Sequence, residues 1–410
     1  MKIAIIGAGA SGLMCALSIG IKAEEKNARI DITVFESKDK PGRKILATGN
    51  GRCNLMNENE GDFYFDADGF SSYALKRFDV RSNLAFFNRL GLYTRSDDEG
   101  RIYPLSNQAS SVLDALRLSC EKYNIRLVTD CAVTQIKRQN GAFLINNSYS
   151  ADKVVLACGG KAGVKGFNGY DLLKNIGHSV TEVRPSLTKL EVKDKKQVKQ
   201  LKGIRQKGRF TLIEHSDVIA EEAGEILFTD YGLSGIAVMQ LSAFAVRVKN
   251  ICKLRIKADF VSELSFGELC NAIRDFAYSG NVRKNENLLS GFVPKRLGEV
   301  VLKSTGLDLS GNPSELTDKD IKSLSAALKG FVFELSGVRG FEDAQVTAGG
   351  ADTAYFNPHT MESKKVKGLY CIGELLNVDG LCGGYNLHWA WSSGRLCAEN
   401  IINERSDRKG

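Results

Sequence analysis

The residues with the most to say about chemistry come first: Gly7-Ala8-Gly9-Ala10-Ser11-Gly12, directly after the apolar run Ile3–Ile6. In G-x-G-x-x-G the first glycine permits a tight turn and the second lets backbone approach a pyrophosphate. The third lets a helix pack against its strand, and the helix N-terminus offers free N–H groups and partial positive charge to phosphate. Glu36 closes the next strand-like stretch twenty-four residues after Gly12, where a carboxylate accepts hydrogen bonds from adenosine ribose hydroxyls and disfavours a 2′-phosphate. The fingerprint alone does not separate FAD from NAD. Pro41-Gly-Arg-Lys-Ile-Leu-Ala-Thr-Gly-Asn-Gly-Arg-Cys-Asn54 follows the carboxylate, and its Arg43, Lys44 and Arg52 with glycine-spaced donors at Thr48, Gly49 and Gly51 suit a second phosphate contact and the approach to an isoalloxazine ring. FAD is therefore the expected cofactor.

Candidates for proton transfer are few: Cys53, Tyr385 and His388. Cys53 lies beside Arg52 without a partner thiol nearby, and His388 next to Trp389 reads more readily as a packed residue than as an acid. Gly383-Gly384-Tyr385-Asn386 opens a late helix, whose N–H groups would stabilise negative charge on a reduced flavin pyrimidine. There is no second G-x-G-x-x-G, so NAD(P)H, the expected electron donor, has no dinucleotide slot of its own.

At this level the chain resembles the YhiN/BaiN-like FAD-dependent oxidoreductases, a branch of the Rossmann flavoproteins that includes glutathione reductase and the fumarate reductase flavoprotein. The resemblance rests on Gly42–Asn54 and continues in Gly100–Pro104, Val155–Gly160, Glu225–Gly235, Val346–Gly350, Gly368–Glu374 and Asp379–Leu387. It implies hydride transfer at flavin N5 to an unidentified small molecule. It also implies cofactor contacts from Ser37, Asn54, Val133, Cys158, Gly159, Gly160, Gly373, Glu374, Gly384, Tyr385, Asn386 and Leu387, with Gly373-Glu374 at the ribityl and pyrophosphate segment. Lys161–Tyr170 is shorter than the corresponding family segment.

The elements that must position these residues follow from periodicity. Lys2–Ile6, a helix from Ala10 to about Lys26 and a strand over Ile30–Glu36 make a βαβ unit with a parallel sheet. Helices are expected at about 71–90 and 108–123, the latter with Val112, Leu113, Leu116 and Leu118 clustered on one side. Strands are expected at Arg126–Val128, Ala132–Lys137, Ala142–Asn146 and Lys153–Cys158, and a last helix from about Asn386 to Asn403. Residues 186–262 alternate as strands, and from Ser265 helix caps recur at Ser265–Glu268 and Thr317–Asp320. The fold class expected is α/β: a discontinuous FAD-binding Rossmann-type domain (1–185 and 343–410) interrupted by a β-rich subdomain (186–262) and a helical subdomain (263–342). Substrate is expected where the insertion meets the flavin ring.

Bulk composition narrows the classes. The chain has 410 residues, 43% hydrophobic and 25% charged, the profile of a folded multi-domain protein. Ten Cys without a C-x-x-C pair and only four His argue against a metal site and for free thiols in the cytoplasm. Ile3–Ile21 carries no charge, yet its glycines belong to the fingerprint, so no membrane role is expected. Of the net charge of +8, nine Lys/Arg fall within the twenty-one residues from Lys189 to Arg209. Few aromatics interleave them, so a solvated surface is the first reading and nucleic acid is not an expected partner; the alternative is a flavin-dependent RNA-modifying or RNA-binding protein using that stretch. Nothing in the sequence sets the oligomeric state.

Overall fold

The computed structural model describes residues 1–59 and 61–407. The chain divides into two compact units, Met1–Arg184 with Val346–Gly410, and Pro185–Gln345. The fold is Rossmann-like α/β. In the first unit a five-stranded sheet has the order β5-β4-β1-β2-β3, where β1 is Lys2–Ile6, β2 Asp31–Phe35, β3 Arg126–Val128, β4 Lys153–Leu156 and β5 Leu369–Cys371. Every pair is parallel, with Ile6 opposite both Phe35 and Leu156 and Leu156 opposite Cys371. Such strands are covered on both faces, which is why β1, β2 and β4 are apolar runs without polar alternation.

Helix α1 (Ala10–Glu25) buries nearly its whole circumference, from Ser11 to Ile21 and again at Ala23. That burial explains an uncharged stretch of this length, and among the described residues no helix is long and apolar enough to cross a membrane. The cover is helix α2 (Tyr385–Asp407), which carries both tryptophans of the chain into the core. Trp389 donates its indole N–H to the Gly373 carbonyl at 3.1 Å, and Trp391 donates to the Leu55 carbonyl at 3.1 Å. The two helices touch backbone to backbone at Gly394, where a Cβ would lie 2.7 Å from the Ser11 carbonyl oxygen.

The second unit is a closed six-stranded antiparallel barrel in the order Leu190–Val192, Gly232–Ser234, Asp217–Phe228, Arg205–Glu214, Leu254–Asp259 and Phe331–Val338. Phe210, Leu212, Ile226, Phe228, Ile256 and Phe333 fill it, and helices Phe266–Tyr278, Lys295–Ser304 and Asp318–Lys329 share the same core. Capping boxes start the first and third of these helices, at Ser265/Glu268 and Thr317/Asp320.

Several expectations need correction. The boundary drawn at 262/263 cuts through one unit, because Phe331–Val338 returns from the helical stretch to close the barrel against Leu254–Asp259. Helix Ile236–Ala245 lies inside the segment read as β-rich; its apolar residues show no one-sided stripe, so periodicity had nothing to detect. Residues 71–90 form two helices, Ser72–Arg77 and Val80–Arg89, parted where the Asp79 carboxylate caps the second through Ser82 N–H. Residues 132–135 are not strand, and the pairing begins at Ile136. Leu118, grouped with Val112, Leu113 and Leu116 on one side of helix Ala109–Lys122, is 53% exposed, while Val112 and Leu116 are buried.

Gly394→Val forces a branched side chain into the α1 backbone. Overpacking of this kind costs about 1–3 kcal/mol, so the denaturation midpoint should fall with secondary structure retained below the transition.

Candidate functional site

The Gly7–Gly12 turn leaves the carboxyl end of β1, and Cys158-Gly159-Gly160 leaves the carboxyl end of β4 beside it. Gly7 has φ 111°, and a Cβ there would strike the Ala157 backbone; a Cβ on Gly12 would strike the Gly7 carbonyl and come within 3.2 Å of the Ala157 Cβ. Gly9 differs. A Cβ on it would meet nothing within 4 Å, and the same holds for Gly51 and Gly159. Gly7 and Gly12 are glycines because protein presses on them, whereas Gly9, Gly51 and Gly159 face open space in which backbone can be approached. Ala10 and the buried Ser11 begin α1.

Glu36 follows β2 and reaches back over this turn. Its Oε2 accepts the Ala8 N–H at 3.0 Å, while Oε1 accepts the Lys38 N–H at 3.0 Å and the Ser37 hydroxyl at 3.2 Å. A carboxylate so oriented retains lone pairs for further donors. The Gly42 N–H donates to the Ala8 carbonyl at 2.8 Å, tying the next motif to the same turn.

Residues 41–54 form the short helix Arg43–Ala47 and then a run of left-handed backbone at Gly49, Asn50, Gly51 and Cys53, with φ 56°, 54°, 82° and 58°. The cations expected to meet phosphate part company here. Arg43 pairs with Asp39 at 3.1 Å on the surface, and Lys44 Nζ pairs with Glu374 Oε2 at 2.8 Å. Arg52 lies over the Tyr103 ring at 4.6 Å. The other Glu374 oxygen accepts the Thr347 N–H at 2.9 Å, and a Cβ on Gly160 would collide with that carboxylate. Glu374 thus acts within the protein as a strut between residues 44, 160 and 347. The Thr48 hydroxyl donates to the Ile45 carbonyl at 2.7 Å.

The two ends of the chain meet at the start of α2. Gly383 and Gly384 have φ 126° and 103°, the Asn57 amide donates to the Gly383 carbonyl at 3.0 Å, and Asn386 exchanges two hydrogen bonds with Gly380 at 2.7 and 2.8 Å. A side chain on Gly384 would be driven into the Met56 carbonyl and Asn54, not toward the open side of the turn. Asn54 Oδ1 is buried without a hydrogen-bond partner, an acceptor waiting for a donor. Leu387 is partly buried on the core, and Val133 is buried with its carbonyl accepting from Asn168 at 2.9 Å.

The three proton-transfer candidates separate cleanly. Cys53 is fully buried, and burial pushes its thiol up to about 11, so it is a neutral thiol rather than a nucleophile. His388 is buried with Nε2 3.2 Å from the Phe78 carbonyl, and burial lowers its pKa; it is a packed residue and leaves the list. Cys158 is also pushed up, to about 12, by burial and then by the Glu36 carboxylate. Tyr385 stacks on Phe63 at 4.3 Å with 22° between planes, and burial pushes its phenol up to about 12. No described residue hydrogen-bonds its hydroxyl. Tyr385 alone of the three keeps a proton in a position not already committed to protein.

Sequence reasoning assigned no role to Asn57, Tyr103 or Thr347. Tyr103 and Thr347 lie inside quoted motifs, but nothing in their spacing tells that one carries a guanidinium and the other a carboxylate. Among the described residues no cluster of His, Cys, Asp or Glu could hold a metal ion.

Along residues 189–209 six of the nine cations are paired: Lys189 with Asp343, Lys193 with Glu334, Lys195 with Glu191, Lys202 with Asp230, Arg205 with Glu225 and Arg209 with Glu221. Most of the local positive charge is neutralised where it arises.

The open glycines, the oriented Glu36 carboxylate and the unsatisfied Asn54 acceptor fit an adenine dinucleotide carrying a polar ring system. Glu36→Ala removes a charged acceptor and frees the Ala8 N–H, so FAD affinity should fall by about 1.5–3 kcal/mol, measured by flavin fluorescence during reconstitution.

Comparison with known proteins extends this picture. A family model described as the HI0933-like protein Rossmann domain matches residues 1–400. A 3-dehydro-bile acid delta(4,6)-reductase of Clostridium scindens is 36% identical over 405 residues, covering 96% of this chain and 97% of that protein. A ribosomal RNA dihydrouridine synthase of Escherichia coli is 30% identical over 413 residues, covering 98% of each. Among solved structures, 3-ketosteroid delta1-dehydrogenase from Sterolibacterium denitrificans aligns with a TM-score of 0.48 at 12% identity, over 98% of this chain and 99% of that one.

Proposed function

The chain belongs to the HI0933-like Rossmann family, an enzyme of its FAD-dependent oxidoreductases, and from that premise we propose that it adds hydrogen across a ring carbon–carbon double bond conjugated to a carbonyl, with NAD(P)H as the electron donor. One observation carries the reading. Two relatives matched over 96% or more of the chain, named for unlike substrates, share that chemistry: a 3-oxo-4,6-diene in one and the uracil ring of uridine in the other.

FAD, when bound and reduced by NAD(P)H, would supply the hydride. The chain's own residues supply position and electrostatics. Gly9 and the N-terminus of α1 would receive the pyrophosphate, Glu36 would accept from the adenosine ribose, and Asn54 Oδ1 would accept from an N–H of the ring system. The N-terminus of α2 at Gly384 and Tyr385 would offer partial positive charge to the bound flavin. Tyr385 Oη, protonated throughout the physiological range, would hold the proton that saturation of the ring bond requires.

Anaerobic protein should carry FAD, bleach with NADH or NADPH, and recover its colour on adding a 3-oxo-4,6-diene steroid. Reoxidation by oxygen alone, with no conjugated ring accepted, would refute the assignment.

The second reading is reduction of a pyrimidine within RNA, favoured by the name of the E. coli relative. The ion pairs along 189–209 speak against that stretch as its docking surface. Reversing Lys196, Lys199 and Lys207 together should leave flavin content and NAD(P)H oxidation unchanged. Copurified RNA lost from that variant, with a steep salt dependence in the wild type, would restore the stretch to an RNA-binding role.

A further inference from the structure

We propose that Arg52 is an oxyanion clamp for the substrate, so that the reducible ring is recognised together with a carboxylate or phosphate on the same molecule. This rests on the reductase reading above and names the class of substrate it acts on.

The case begins with elimination among the cations of the 41–54 loop. Arg43 and Lys44 are each held by a carboxylate, Asp39 and Glu374. Arg52 has no carboxylate partner among the described residues. Its guanidinium carbon lies 4.6 Å from the centroid of the Tyr103 ring, and its Nε donates to the Gly49 carbonyl at 3.4 Å. The side chain is exposed, and no described residue takes a hydrogen bond from Nη1 or Nη2, a planar pair of donors that matches an oxyanion bidentately.

The backbone beneath is shaped to hold it there. Asn50 and Gly51 precede Arg52 and Cys53 follows it in left-handed conformations, at φ 54°, 82° and 58°. A Cβ on Gly49 would lie 2.8 Å from the Asn54 N–H and 3.6 Å from the Tyr103 ring, so only glycine lets the turn fold back under the arginine.

Position completes the argument. Tyr103 belongs to strand Arg101–Pro104, whose Ile102 pairs with Met56 and accepts the Leu55 N–H at 2.8 Å. Met56 and Asn54 in turn press against Gly384 at the start of α2. The free fork therefore stands one strand pairing away from the helix start assigned to the flavin ring, and Gly51 beside it faces open space.

The test compares ligands that differ only in charge, by flavin absorbance changes on binding, a readout independent of turnover. One arm uses a 3-oxo-4,6-diene steroid carboxylate and its methyl ester; the other uses uridine 5′-monophosphate and uridine. Wild type should bind the anion of at least one pair more tightly, and the arm that responds identifies carboxylate or phosphate as the source. Arg52→Gln should weaken that anion about ten- to hundredfold and leave the neutral partner, FAD retention and the flavin midpoint potential unmoved. Equal affinity for charged and neutral partners in both arms of the wild type overturns the proposal. So does loss of FAD or a shifted potential in Arg52→Gln, which would make the residue a cofactor contact. Tight, Arg52-dependent anion binding without reduction of either ring would leave the clamp standing and defeat the reductase reading instead.

Discussion

Everything at the candidate site depends on how closely α1 is held between α2 and the parallel sheet. A helix start can present its N–H groups only if the strand end, the turn and the neighbouring helix all crowd around it without side chains in the way. Four glycines meet that demand around Ser11: Gly7 against Ala157, Gly12 against the Gly7 carbonyl, Gly373 against the Ser11 side chain and Gly394 against the Ser11 carbonyl. They come from both ends of the chain. The sheet has the same arrangement, since β1 and β2 come from the beginning and β5 from the end. The nucleotide fingerprint is therefore only half of its own site.

A second layer of constraint is polar. Glu374 is shared between Lys44 and Thr347, and Asn57 and Asn386 fasten the loops on either side of the glycine pair that opens α2. These bonds turn three short motifs, weak as separate patterns, into one rigid frame. Groups bound so completely to one another have little left for a ligand. Those that remain uncommitted, Asn54 Oδ1, the Arg52 fork and the Tyr385 hydroxyl, are the groups with chemistry to offer.

The parallel unit was legible in the sequence because its signals are local. An apolar run, a glycine turn, a helix and a carboxylate lie within thirty-six residues, and each obeys a rule of spacing. The capping boxes at Ser265 and Thr317 were legible for the same reason. What escaped depends on distant partners. Lys44 reads as a phosphate ligand until Glu374, 330 residues away, is seen to hold it. Cys53 reads as reactive beside Arg52 until its burial is known. The barrel could not be separated from its helices by pattern, because Phe331–Val338 closes it only after three helices have intervened.

The crossing of α1 and α2 also dictates an order of events during synthesis. A ribosome releases the Gly7–Gly12 turn before Pro185–Gln345, but the partner helix and β5 emerge only after the whole of that unit has been made. The inserted unit is contiguous and can close its barrel while still tethered. The first unit must wait, with one sheet edge unpaired and the flank of α1 uncovered. Nascent chains thus pass through a long interval in which a segment made before the inserted unit is sheltered only after it, and that is where demand for a chaperone should concentrate.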